Sequence, residues 1–197
     1  MDKDHTVQLG EVLHSASPMS QSAVKMIADS GTFQSYGKNE IVFAEKRYNA
    51  FEYFQIEGIS HRYNIDEEGQ PITTGIYSGG IVITPNFART LNGQSIFSLQ
   101  ALTECIFLKV PIGAFDEWRK HNPQIWSLGQ RVVESEFIRH LNYEVLFRSS
   151  GAKERLLYFR THYPLLENLI PHTVIASFLG ITPVSFSRLR NELARIG

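Results

Sequence analysis

The stretch from Ile170 to Arg195 constrains this chain more than any other. Apolar residues recur at helical spacing on both sides of Leu179-Gly180-Ile181, which predicts two short helices joined by a tight turn. Gly180 supplies a position where the backbone can take positive φ and the first helix must stop. Thr182 is a good N-cap, and Pro183 at the first helical position gives up only an amide with no intrahelical partner. In the first helix Ile175 and Leu179 are apolar anchors and Ala176 is small, as two closely crossing helices require. In the second, Phe186, Leu189 and Leu193 fall on one face and Val184, Arg188, Asn191 and Arg195 on the other. This is a helix-turn-helix, a unit that reads DNA by laying its second helix in the major groove, where arginine offers a two-pronged donor to guanine. A helical hairpin with merely solvated arginines is the alternative. The agreement of cap, turn glycine, small crossing residue and free arginine favours DNA.

Charge supports that reading by its distribution. Residues 148–197 carry seven Lys or Arg against three acids, net +4, while residues 1–147 carry twelve against seventeen, net −5. An acidic front and a basic tail suit a sensor joined to a nucleic-acid reader. Cys105 is the only cysteine, which excludes an intrachain disulfide, a thiolate zinc cage and a four-cysteine iron–sulfur cluster. A cytoplasmic setting is the simplest fit. No apolar run approaches the roughly 20 residues that span a bilayer, and Met1 to His5 lack the apolar core of a signal peptide, so no membrane partner is expected.

Residues 1–17 read as polar, with no element assigned. Met19, Ala23, Met26 and Ile27 then predict a short helix closed by Ser30-Gly31. From Thr32 to Val110 the texture is β-rich, with candidate strands at 33–36, 41–45, 51–57, 59–65, 71–77, 81–84, 95–101 and 105–110. Asp66-Glu67-Glu68-Gly69 reads as a hairpin tip and Ser78-Gly79-Gly80 as a tight connector. Eight such strands imply a β-sandwich or jelly roll, either wide enough for a small ligand or packed solid. Residues 112–121 form a short helix, and Asn122-Pro123 restarts one that runs to about Phe147. Along it Ile125, Leu128 and Val132 make one apolar stripe; Trp126, Val133, Phe137, Leu141 and Val145 make a second. Two stripes call for two neighbours, the roll for one and the same helix of a second subunit for the other. Ser149-Ser150-Gly151 breaks this helix as a hinge, Glu154 is placed to cap the next, and Pro164 ends that one.

This order of parts resembles the Crp/Fnr family of bacterial transcription regulators. The resemblance is carried by residues 40–81, with Gly58, Gly69, Gly79 and Gly80 at strand turns, and by Ile175 to Arg190, where Arg188 falls at the family's guanine-contacting arginine. It implies an α+β chain with an N-terminal jelly-roll or β-roll sensor domain over residues 1–112, a dimerisation helix region over 113–148 and a small helix-turn-helix domain over 149–197. The sequence ends at Gly197 straight after the reading helix, so a full wing is not expected. The implied DNA contacts are His172, Thr173, Thr182, Val184, Ser185, Ser187, Arg188 and Asn191, with Arg155 and Arg160 as candidates for phosphate. Ile125, Leu128, Val132, Leu141 and Val145 are expected at a homodimer seam. Family members that bind cyclic AMP hold it through a Phe-Gly-Glu segment and a later Arg-Ser or Arg-Thr pair; this chain has Ile83-Thr84-Pro85 and Ser95-Ile96 there. The charged groups that would offset desolvation of the phosphate are missing, so cyclic AMP is not expected to bind in the usual way. Thr84, Asn86, Arg89 and Ser95 remain as candidate contacts for another small-molecule effector, a solvated loop position being the alternative for Arg89. Val184 stands where many relatives carry a cytosine-reading glutamate, so the DNA site should differ from theirs.

The reading is therefore a homodimeric regulator that binds a palindromic double-stranded DNA site, with contact to RNA polymerase allowed by the resemblance and with no enzymatic role, cofactor or metal expected. A ligand-independent DNA-binding or scaffold protein is a second reading. A cupin-like enzyme is a third, but the seven histidines, His5, His14, His61, His121, His140, His162 and His172, contain no His-x-His pair and only His61 falls in a strand.

Overall fold

The β-rich middle of the chain closes into two facing sheets because its strands alternate large side chains between two directions. The computed structural model describes residues 3–195. Met1, Asp2, Ile196 and Gly197 lie outside it, and with them the readings of the two chain ends. Strands β1 (Thr32–Tyr36), β10 (Cys105–Pro111), β3 (Phe51–Glu57) and β6 (Ile81–Val82) pair in that order. The facing sheet runs β2 (Ile41–Phe43), β9 (Ser98–Ala101), β4 (Ile59–Ile65), β5 (Pro71–Ser78), and β7 (Thr90–Leu91) pairs with β8 (Gln94–Ser95). All pairings are antiparallel. Gly58 makes the turn from β3 to β4 at φ +93°, where a side chain would run into Glu104 and Cys105. At the β4–β5 tip Asp66 Oδ1 accepts from the amides of Glu68 and Gln70 at 3.0 and 2.7 Å.

Both faces of the first sheet are buried. Tyr53 and Phe107 point between the sheets, while Phe54, Ile56, Leu108 and Val110 point out onto helices. Those helices are α1 (Lys3–Ala16), α2 (Gln21–Asp29), α4 (Ile112–His121) and the first half of α5 (Pro123–Ser149). Leu9, Leu13, Ile27, Leu108, Val110 and Ile125 in this layer are all fully buried. Each contributes roughly 1.5–3 kcal/mol relative to an exposed side chain. Beyond His140 the long helix leaves the roll, and Tyr143 joins a second core that α6 (Ala152–His162), α7 (Leu166–Leu169), α8 (His172–Phe178) and α9 (Pro183–Ala194) share with Ile59, Ile76 and Leu102 of the roll. This last unit sits on the roll through α8, where Ser177 Oγ accepts from the Thr73 amide at 2.9 Å and donates to the Pro71 carbonyl at 3.0 Å. Among the described residues no helix is long and apolar enough to cross a membrane.

Several expectations need correction. Residues 3–16 are a helix, since Leu9, Val12, Leu13 and Ala16 recur at i, i+3, i+4 and i+7 among polar residues that mask the stripe. The expected strand 95–101 is two, broken at Ile96-Phe97, and the expected strand 81–84 stops at Val82 because Pro85 turns the chain into α3 (Asn86–Arg89). Glu154 lies in the first turn of α6 but makes no cap hydrogen bond; Gly151 occupies that cap.

Candidate nucleic-acid interface and the interior of the roll

Gly180 sits at φ +63° and ends α8, with its own amide bonded to the Ser177 carbonyl and that of Ile181 to Ala176, each at 3.0 Å. Thr182 Oγ1 then accepts from the Ser185 amide at 3.1 Å and starts α9. Phe186 is buried, and Leu189 and Leu193 pack beside it on the core of Ile175, Ala176 and Leu179. The opposite face of α9 is open: Val184 is 61% exposed, and Ser187, Arg188 and Asn191 are exposed with it. Arg188 has no hydrogen-bond or ion-pair partner among the described residues, so five guanidinium donors stand free one turn into the helix.

Four neighbouring cations, Lys153, Arg155, Arg160 and Arg190, are committed elsewhere, whereas Arg195 at the end of α9 is exposed. Glu167 accepts Arg160 through both carboxylate oxygens at 2.7 and 2.9 Å and Arg190 at 2.7 Å, which joins α6, α7 and α9 and holds the Glu167 carboxyl below its ordinary range. Arg190 also donates to His172 Nδ1 at 3.2 Å, leaving His172 Nε2 to donate to the Glu167 carbonyl at 3.1 Å. Arg155 lies over the Phe147 ring at 4.9 Å, and Lys153 pairs with Glu192 at 2.9 Å. Arg155 and Arg160, expected as phosphate contacts, are thus engaged inside the unit. Of the eight expected DNA contacts, Thr173, Val184, Ser187, Arg188 and Asn191 are exposed, Thr182 and Ser185 form the cap, and His172 is exposed but tied to Arg190.

On α5 the two stripes separate. Ile125, Leu128 and Val132 are buried against their own roll and helices and cannot meet a second subunit, a correction to the expected seam. Trp126, Phe137, Ile138, Leu141 and Val145 are exposed along the other side. Phe137, Leu141 and Phe147 also form one wall of a groove of about 520 Å³ whose other walls are Ile72 to Thr74 of β5 and Ser177, Phe178 and Gly180.

Between the sheets the roll is filled by its own side chains. Tyr36, Phe43, Tyr53, Tyr77, Phe97 and Phe107 pack there around two guanidinium groups. Arg89 is 0% exposed, 4.8 Å from the Phe43 ring centre and 5.0 Å from that of Tyr53. Its Nη2 donates to the Phe51 carbonyl, while Nε and Nη1 have no partner. Glu52 Oε2 lies 3.9 Å away and accepts from the Asn86 amide; burial pushes this carboxyl up to about 7 against the pull of Arg89. The other expected effector contacts are also spent internally. Asn86 donates to the Asn49 and Phe51 carbonyls, Ser95 accepts from Asn49, and Thr84 bonds Tyr77. The solvated alternative for Arg89 is overturned, because α3 turns it inward.

Arg62 on β4 is 5% exposed, and all five of its N–H groups have acceptors. Nη1 donates to Glu136 Oε2 at 2.6 Å and Tyr77 Oη at 3.3 Å. Nε and Nη2 both reach the Thr74 carbonyl at 3.3 Å, and Nη2 also donates to His140 Nε2. Glu136 is shared with Arg139.

No family model and no curated protein matches this sequence. Solved structures do. FixK2 from Bradyrhizobium japonicum superposes with a TM-score of 0.73 at 18% identity, covering 85% of this chain and 86% of that one. The c-di-GMP responsive global regulator CLP from Xanthomonas campestris gives 0.75 at 10% identity, covering 90% and 93%. A protein from Eubacterium rectale, described as a transcriptional regulator of the Crp/Fnr family, gives 0.70 at 16% identity, covering 91% and 85%. The chain has the Crp/Fnr fold.

Within that fold, Arg62, Glu136 and His140 form a cluster that the sequence does not announce. Arg62 lies in a strand that otherwise reads as half-buried, and Glu136 and His140 look like ordinary surface residues of a long helix. One signal was present. Val132, Glu136 and His140 continue the stripe of Ile125 and Leu128, so a carboxylate on the packed side demanded a buried cation opposite.

Proposed function

We propose that this Crp/Fnr-fold chain is a homodimeric, sequence-specific DNA-binding transcription regulator that uses the open face of α9 for reading. The observation that supports this most is Arg188: among the described residues it is exposed and unpaired, one turn inside a helix whose cap, turn and buried Phe186 fix its direction. Val184 offers only apolar contact, suited to a thymine methyl, and Arg188 suits guanine O6 and N7. The exposed stripe of Trp126, Phe137, Leu141 and Val145 supports pairing of two α5 helices, which would present two copies of α9 to a palindromic site.

The filled roll favours control without a cyclic nucleotide, since Arg62 and Arg89 occupy the space between the sheets and Thr84, Asn86 and Ser95 bond within the chain. The test is selection from a random DNA pool at fixed salt with the wild type and Arg188→Ala. The wild type should enrich a palindrome, and Arg188→Ala should relax one base in each half while weak non-specific binding persists. Absence of any enriched palindrome, or the same palindrome for both proteins, would place the scaffold reading ahead.

A further inference from the structure

Arg62, Glu136, Arg139 and His140 join three parts of the molecule at one point. Arg62 comes from β4, its Thr74 acceptor and Tyr77 from β5, and the other three from successive turns of α5 where the helix leaves the roll. Gly75 leaves the space for this guanidinium, because a Cβ there would lie 2.7 Å from Arg62 Nε. Residues 71–74 of β5 carry a tie at each end. Thr74 accepts from Arg62, while Pro71 and Thr73 bond Ser177 of α8.

We infer that this cluster is an acid-sensitive latch that fixes the roll to the long helix and, through β5, seats the DNA-reading unit. A guanidinium can only donate, so His140 Nε2 must be a bare acceptor and the ring neutral with its proton on Nδ1. Protonation of Nε2 removes that hydrogen bond and sets a third cation beside Arg62 and Arg139 around the single carboxylate of Glu136. From α5 itself His140 is faced by Tyr143 and Glu144, and Glu144 is paired with Arg148 at 2.7 Å. From β5 the titratable neighbour of the cluster is Tyr77, and α8 presents Ser177 and Phe178 across the groove. His140 is exposed on its outer side, so protons reach it without unfolding.

The direction of its titration agrees. Partial burial, and then Arg62 and Arg139, hold His140 below its ordinary value of 6.5. With a lowered folded value, the latch contribution is complete above the ordinary value and is lost as pH falls through the folded one.

The inference rests on the proposed function only for its consequence at DNA, so its test has two arms. Hydrogen exchange of the full chain, corrected for the intrinsic rate, follows peptides from residues 132–145 of α5 between about pH 7.5 and about pH 5.5. In the wild type their opening should rise on acidification, with a limiting slope of about tenfold per pH unit for one proton. His140→Gln, which keeps an acceptor but cannot charge, should be flat. His61→Gln should keep the slope in this segment, because the His61 ring, though burial holds its value low, bonds Thr73 and Gln100 rather than any group of α5. A flat wild type, or a slope removed by the His61 change and not by the His140 change, overturns the latch. Should His140→Gln not fold, the ring nitrogen resonances of wild-type His140 decide: Nδ1–H at neutral pH supports the latch and Nε2–H overturns it. In the second arm, affinity for the selected DNA is measured at both pH values. Opening without a change in affinity overturns the link to the reader. Failure to bind any sequence at either pH sinks the proposed function but leaves the exchange result to decide the latch.

Discussion

Arg188 on α9 is exposed and unpartnered, whereas Arg62 and Arg89 in the roll are 5% and 0% exposed and enclosed by carboxylates and aromatic rings. The same side chain therefore does opposite things at the two ends of the molecule. Displayed on a rigid helix, a guanidinium keeps its five donors for a partner outside the chain. Buried between two sheets, it fills the interior of the roll, and it must be matched by groups of its own chain. The two buried arginines differ again. Arg62 has every N–H satisfied and bridges to α5, while Arg89 leaves Nε and Nη1 unpaired beside a carboxyl that burial pushes up to about 7.

The sharpest way to break this contrast is Glu136→Leu, which strands the Arg62 charge inside the roll. It should cost about 3–5 kcal/mol in urea unfolding, because a buried charge without its partner is among the most destabilising lesions. The exposed Glu134→Leu should change stability by less than about 0.5 kcal/mol. A loss near zero for Glu136→Leu would mean that Arg62 can reach water and that the roll is not closed as described.

Next in size is Phe137→Glu, on the open stripe of α5. It should weaken self-association by about 2–4 kcal/mol in sedimentation experiments if Phe137 lies at the centre of a helix-pair seam. An unchanged dimer would move the seam elsewhere. Arg188→Ala and Arg190→Ala then separate display from tie. The first should lose about 1–3 kcal/mol of discrimination per half-site with stability unchanged. The second breaks a contact to Glu167 and should cost up to about 1 kcal/mol of stability without relaxing the base preference. Smallest is Thr182→Ala, which removes the α9 cap and should cost about 1 kcal/mol in thermal or urea unfolding.

The helix-turn-helix was legible in the sequence because its constraints are local. Gly180, Thr182, Pro183 and the spacing of Phe186, Leu189 and Leu193 each encode their own geometry within a few residues. Most strands were legible for the same reason, through alternation and turn residues. The filling of the roll was not, because Arg62 meets Glu136 across 74 residues and Arg89 is turned inward by a one-turn helix that no periodicity announces. The α1 stripe was readable but masked by polar neighbours. The seam residues divided only when burial showed which stripe of α5 the roll had already covered.

In the proposed dimer, two copies of α9 held by paired α5 helices read two half-sites at a fixed separation. The most direct measurement is affinity across a series of DNA duplexes in which the selected half-sites are moved apart one base pair at a time. A single strong optimum is expected with half-site centres about 10–10.5 bp apart, roughly 34 Å, with a loss of most specific affinity when about half a helical turn is inserted. Affinity that is indifferent to the spacing, or equal for one half-site and two, would contradict it.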